Sequence, residues 1–164
     1  MRGCFKMMDM RRKDKKMTPD EAIKLLLEGE YGILSTVHSD GQPYGVPLNY
    51  VYRDNHIYFH SALSGRKIEN IQQHPNISFC VVGDTKVAPS IFTTEYVSAV
   101  VFGIASEALG EERHNALLWL LEKYSPEYLE QGKKYIEKHD KATKVIKIHI
   151  ESISGKKSHV KSKQ

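Results

Sequence analysis

Between Tyr31 and His60 three β-rich runs follow one another with only short turns between them. Tyr31 to His38 is rich in β-formers, and Ser39-Asp40-Gly41-Gln42-Pro43 is a turn led by an Asp-Gly pair. Tyr44 to Arg53 then alternates, with Tyr44, Val46, Leu48, Tyr50 and Tyr52 on one face, and Asp54-Asn55 turns the chain into His56 to His60. Turns this short join antiparallel neighbours, because a parallel pair needs a crossover of a dozen residues or more. A doubly wound parallel sheet is thereby disfavoured. Pro47 lies inside the second run, and proline cannot donate to a ladder. That part of the strand is predicted to be an edge, a bulge or a place where something else lies against the backbone.

The remaining elements fit the same plan. Thr18-Pro19-Asp20-Glu21 reads as a threonine cap, a first-turn proline and a capping-box glutamate; Ile23, Leu26 and Leu27 share a helical face, and Gly29 is the expected stop. A short helix is predicted from Gly65 to Gln73, capped by Ser64, with Ile68 and Ile71 inward and His74-Pro75 ending it. Asn76 to Val82 reads as a strand, Lys86 to Ile91 as a loop, and Thr94 to Ala108 as a long strand that Gly103 bends. Leu117, Leu120, Leu121 and Tyr124 mark a helix, and Ser125-Pro126 caps and opens another that runs to about Lys138. In the last strand Ile146, Ile148 and Ile150 oppose Lys147, His149 and Glu151. The expectation is a mainly β (α+β) domain: six antiparallel strands closed into a barrel, with helices outside it. It covers residues 18–154, between a basic flexible leader (1–17) and a basic tail (155–164).

The 164 residues and the net charge of +4 suit one ordinary domain. Much of the positive charge sits at the two ends, and neither carries the interleaved aromatics that base stacking uses, so no nucleic-acid partner is expected. Cys4 and Cys80 form no Cys-x-x-Cys pair, and the histidines show no metal-ligand spacing, so no metal site is expected. No run of signal-peptide or membrane-span length occurs, which predicts a cytoplasmic protein with no membrane partner.

The stretch richest in chemistry is Tyr58-Phe59-His60-Ser61-Ala62-Leu63-Ser64-Gly65-Arg66-Lys67. A strand ends, a small polar loop follows, and a helix opens with two cations. Free N–H groups at a helix start favour an anion. Arg66 adds a planar fork suited to phosphate oxygens, Lys67 a point charge, and Ser61 and Ser64 hydroxyl donors. Two cations at a helix start conflict with its dipole unless an anion compensates; the plain alternative is a pair of solvated surface charges.

Thr36-Val37, Asp40-Gly41-Gln42-Pro43, Pro47, Ile57-Tyr58-Phe59, Gly65-Arg66-Lys67 and His74-Pro75-Asn76 stand in an order and at spacings that resemble the pyridoxamine 5'-phosphate oxidase-like FMN-binding split barrels. Within these the chain looks most like the nitroimidazole-resistance branch. The resemblance spans residues 18–154. It implies that Arg66 and Lys67 hold the FMN phosphate, helped by Ser61, and that Val46, Pro47, Leu48 and Asn49 run along the flavin ring. It gives His60 a redox role beside the flavin, and it places Tyr96 and Ser98 against the cofactor of an adjacent subunit. It also implies a homodimer with FMN at the interface.

The chain ends Ser154-Gly155-Lys156-Lys157-Ser158-His159-Val160, without the arginine- and histidine-bearing segment with which genuine pyridoxamine phosphate oxidases bind their substrate. The expected function is therefore an FMN-dependent oxidoreductase that passes electrons from a small donor to a small acceptor, nitro-aromatic compounds included. The alternative is a non-catalytic flavin-binding redox partner, sensor or carrier. Haem or a deazaflavin in the same barrel is a third reading.

Overall fold

A computed structural model describes residues 10–159. Cys4, Met7, Met8 and the first charges of the leader lie outside the described residues, as do residues 160–164.

The elements run α1 (Pro19–Glu28), β1 (Gly32–Val37), β2 (Pro43–Leu48), β3 (Val51–Arg53), β4 (His56–Ser61), α2 (Arg66–Gln73), β5 (Asn76–Ala88), β6 (Thr93–Glu107), α3 (Gly110–Tyr124), α4 (Leu129–His139) and β7 (Lys144–Ser158). The capping box that opens α1 is complete: the Glu21 N–H reaches the Thr18 hydroxyl, and the Thr18 N–H reaches the Glu21 carboxylate. Asp54 and Asn55 both take positive φ, as a two-residue hairpin turn of the tighter kind requires.

The sheet has seven strands rather than six, in the order β2-β1-β5-β6-β7-β4-β3, and every neighbouring pair is antiparallel. The expected single run from Tyr44 to Arg53 is two strands, broken at Asn49-Tyr50. Tyr50 leaves the ladder because its side chain is fully buried, with its hydroxyl donating to the Leu26 carbonyl at 2.7 Å. Its ring meets Phe79 edge-on at 4.9 Å. The break joins the two outer edges of the sheet. Three backbone steps from Leu48 to Val51 span at most about 11 Å, so the sheet must curl until β2 and β3 approach each other. No ladder links them, so the barrel is split rather than closed.

The curl encloses the main core, including Leu26, Leu34, Ile57, Phe59, Phe79, Val81, Val101 and Ile148. A second cluster lies under α3, where Ala116, Leu117 and Leu120 cover Val51, Tyr58 and Val145. β4 is buried on both faces over Ile57–Phe59, which is why its sequence does not alternate there. β7 does alternate as expected: Ile146, Ile148 and Ile150 are buried.

Three local expectations are corrected. Lys86–Ala88 continues β5, and only Pro89–Ile91 forms a turn of 3-10 helix. Pro126–Tyr128 is likewise 3-10, so α4 starts at Leu129, and Ser125 makes no side-chain cap. β7 runs past Ser154 to Ser158, where Lys156 bridges to Lys16 and the Met17 N–H reaches the Gly155 carbonyl at 2.9 Å.

Candidate cofactor cradle and adjoining cavity

β4 ends at Ser61, and the exposed stretch 62–65 leads into α2. The residue that caps α2 is Gly65, at φ +125°, not Ser64. A side chain is strained at that φ, and a glycine brings no side-chain oxygen to the helix start. The Gly65 carbonyl takes the N–H groups of Ile68 and Glu69. Those of Arg66 and Lys67 stay unclaimed within the helix.

The Arg66 guanidinium lies 5.5 Å from the centre of the Tyr44 ring, so β2 and α2 meet here. Neither Arg66 nor Lys67 has a carboxylate partner among the described residues. Ser61 is 6% exposed, and its hydroxyl has no hydrogen-bond partner. Behind it Asn70 is fully buried and donates its amide to the Thr36 hydroxyl at 2.9 Å, leaving its own Oδ1 without a partner. Thr36 in turn reaches the Tyr44 carbonyl. This buried pair fixes α2 against β1 and β2. The helix start thus carries two cations without a carboxylate partner among the described residues and two N–H groups unclaimed within the helix, and the unmet Ser61 hydroxyl stands at the end of the strand that leads into it. A donor set of that kind suits a phosphate monoester, and its residues fit the phosphate end of a flavin mononucleotide.

His60 sits one residue before Ser61 on β4, paired with Val145 of β7. It is open to solvent on one side and makes no hydrogen bond among the described residues. Burial of the ring's other side, and then the charge of Lys67, push its pKa below the ordinary histidine value. The imidazole is therefore held neutral at neutral pH and can donate or accept at either nitrogen.

On its other side His60 borders a cavity of about 450 Å³, walled by Leu117, Leu120, Leu121, Tyr124 and Tyr128 with Ile136 of α4. No acidic side chain, lysine or arginine lines it. Asn49 joins His60 at this wall, its amide donating to the Glu30 carbonyl at 3.0 Å. Leu117 and Leu120, which marked the helical face in the sequence, are core and cavity wall at once. Sequence reasoning missed the α4 side of this cavity. One signal for it existed: Gly132 inside a helix, where a Cβ would stand 2.1 Å from Leu121 Cδ1, shows how closely α3 and α4 approach.

Val46 and Leu48 point toward the main core, while Pro47 and Asn49 are exposed. β2 pairs on one side only, so the backbone edge around Pro47 is free, as its proline requires. Tyr96 and Ser98 are not brought to the cradle within one chain. Ser35 near Thr36 aligns with Ser78, and Ser78 with Phe102; Ser98 and Tyr96 lie roughly 13 and 20 Å farther along β6 at ~3.3 Å per residue. The Tyr96 ring lies instead near the ammonium groups of Lys15 and Lys156.

Comparison with known proteins gives the family and the fold. The model of the pyridoxamine 5'-phosphate oxidase family matches residues 18–157. No curated protein matches the chain. Among solved structures, a candidate 5-nitroimidazole antibiotic resistance protein from Bacteroides thetaiotaomicron superposes with a TM-score of 0.70 at 22% identity, covering 86% of this chain and 85% of that one. A FAD-binding protein from Mesorhizobium loti gives 0.60 at 26% identity, covering 88% and 98%. The FAD and heme binding protein from Mycobacterium smegmatis gives 0.79 at 16%, covering 92% and 76%.

Proposed function

The chain belongs to the pyridoxamine 5'-phosphate oxidase family, and from that membership we propose that it is an FMN-binding oxidoreductase that passes electrons to a small uncharged acceptor. The observation that carries the reading is the donor set of Ser61, Arg66 and Lys67 beside an uncapped helix start. It has the sign of a phosphate site, and among the described residues no carboxylate pairs with its cations. FAD- and haem-binding relatives with the same fold support a flavin and keep haem as a second reading.

Arg66 and Lys67 would hold the phosphate, and the free edge of β2 around Val46, Pro47, Leu48 and Asn49 would face the ring. When bound, the flavin supplies the hydride or single-electron chemistry itself. The chain's contribution is to bind, to orient and to exclude water. His60 stands between the cradle and the apolar cavity, neutral, so it can hydrogen-bond a ligand on either side or accept a proton from one. The α3–α4 cavity carries no charged lining, which favours a neutral, ring-bearing acceptor over a sugar phosphate or a carboxylate. Nitro-aromatic compounds fit that description. Vitamin B6 phosphate, an anion, does not.

A homodimer is part of this proposal. The tip between β5 and β6 exposes Val87, Ile91 and almost all of Phe92, an apolar surface that a second copy would cover. In such a dimer Tyr96 and Ser98 would approach the partner's cofactor. The test is anaerobic reduction of a nitro-aromatic acceptor with a nicotinamide donor and added FMN. Many turnovers per chain support an enzyme. A single stoichiometric reduction favours the non-catalytic carrier, and no reduction with any donor overturns the oxidoreductase reading.

A further inference from the structure

Away from the cradle, β4 and β7 bring two histidines face to face. His56 and His149 are direct cross-strand partners in the antiparallel register. His56 Nε2 lies 3.3 Å from His149 Nδ1, with the rings tilted at 49° rather than stacked. His56 Nδ1 is 2.7 Å from the Asp54 carbonyl. A carbonyl only accepts, so Nδ1 carries the proton and Nε2 presents its lone pair toward His149.

We propose that His56 and His149 form a two-histidine site for a divalent transition-metal ion, closed across the β4–β7 ladder. Two imidazole nitrogens bonded to one tetrahedral metal at ~2.0–2.1 Å stand about 3.3 Å apart. The pair is therefore already spaced as a chelate. Metal-bound histidines commonly donate their second N–H to a backbone carbonyl, which orients the ring, and Asp54 does this for His56. In the metal-free pair His149 Nδ1 donates its proton to His56 Nε2. Binding moves the His149 proton to its own Nε2 by exchange with water and frees the second lone pair with no net proton release. Among the described residues no group of three or more His, Cys, Asp or Glu side chains converges, so water supplies the remaining positions. Glu112, close enough to His56 to interact with its charge, is paired with Lys147 and Tyr58 and supplies no ligand. Imidazole pairs take copper, nickel, cobalt or zinc and leave magnesium and calcium to oxygen ligands.

The site was invisible to spacing rules because its ligands lie on strands separated by most of the chain. The experiment is titration of the full-length, tag-free protein as purified with Cu²⁺ and with Zn²⁺, by calorimetry, beside His56→Gln, His149→Gln and the exposed control His114→Gln. The expected result is one site per chain whose affinity falls about tenfold or more in each of the first two variants and is unchanged in the control. Cu²⁺ electron paramagnetic resonance then shows two coordinated nitrogens in the parent and one in His149→Gln. Identical binding curves for parent and both variants, or no binding at metal concentrations up to about 1 mM, overturn the proposal.

Discussion

The charge of Lys67 reaches His60 across the start of α2 and is the second of two reasons, after burial, that the imidazole stays neutral. In the proposed site the two residues would tie the phosphate end to the end where chemistry takes place. They also make the first prediction. Replacing Lys67 by Gln removes a repulsion and raises the His60 pKa, while an anion bound at the cradle raises it in the parent. Proton NMR of the imidazole resonances across pH 4–8 reads both shifts.

The same depression links pH to stability. The unfolded chain binds a proton at His60 near pH 6.5, whereas the folded chain resists it until lower pH. Between those values the unfolded state binds more protons, so stability rises with pH. This contribution is present above about pH 6.5 and is lost as pH falls through the lowered folded value. His60→Gln should flatten that part of the stability–pH curve measured by urea unfolding.

At the cradle, Arg66→Ala with Lys67→Ala removes two charge-assisted contacts to phosphate. Both side chains border solvent, so the lower end of the usual range applies: about 3 kcal/mol, or roughly a hundredfold weaker FMN binding, with the fold intact. Fluorescence titration with FMN against riboflavin separates the parts. Riboflavin lacks the phosphate and should bind parent and double variant alike.

Asn70 and Thr36 make a structural prediction. Thr36→Val leaves the buried Asn70 amide N–H without its acceptor, beside an Oδ1 that already lacks a donor. The expected loss is about 1–3 kcal/mol of stability, read as a lower urea midpoint with unchanged slope. Because this pair seats α2, FMN affinity should fall as well.

Gly103 tests the bend in the long strands. A Cβ there would stand 2.2 Å from the His149 carbonyl oxygen, where the β6–β7 register shifts. Gly103→Ala must displace backbone rather than a flexible side chain, so a loss of about 3 kcal/mol or more is expected in thermal unfolding.

The legible parts of the fold were those where local chemistry is decisive. The Thr18 cap, the Asp40-Gly41 and Asp54-Asn55 turns and the alternation of Ile146, Ile148 and Ile150 each act over a few residues, and all are present. The break at Asn49-Tyr50 was not legible. Period-two alternation carries straight through it, and what ends β2 is the distant demand of Leu26 and Phe79 on the Tyr50 side chain. Ser64 is a good cap by composition, but Gly65 takes the position because the chain must turn through positive φ. At the site, Arg66, Lys67, Ser61 and His60 are close in sequence and could be read together. The cavity wall from α4, the Thr36–Asn70 pair and the His56–His149 contact exist only once strands and helices distant in the chain are brought together.

The most direct test of the flavin assignment is the visible spectrum of freshly purified protein, with any chromophore released by denaturation and identified. The expected result is flavin absorption and release of FMN at about one per chain. A colourless protein that also fails to take up added FMN, or one that releases only haem, would contradict it.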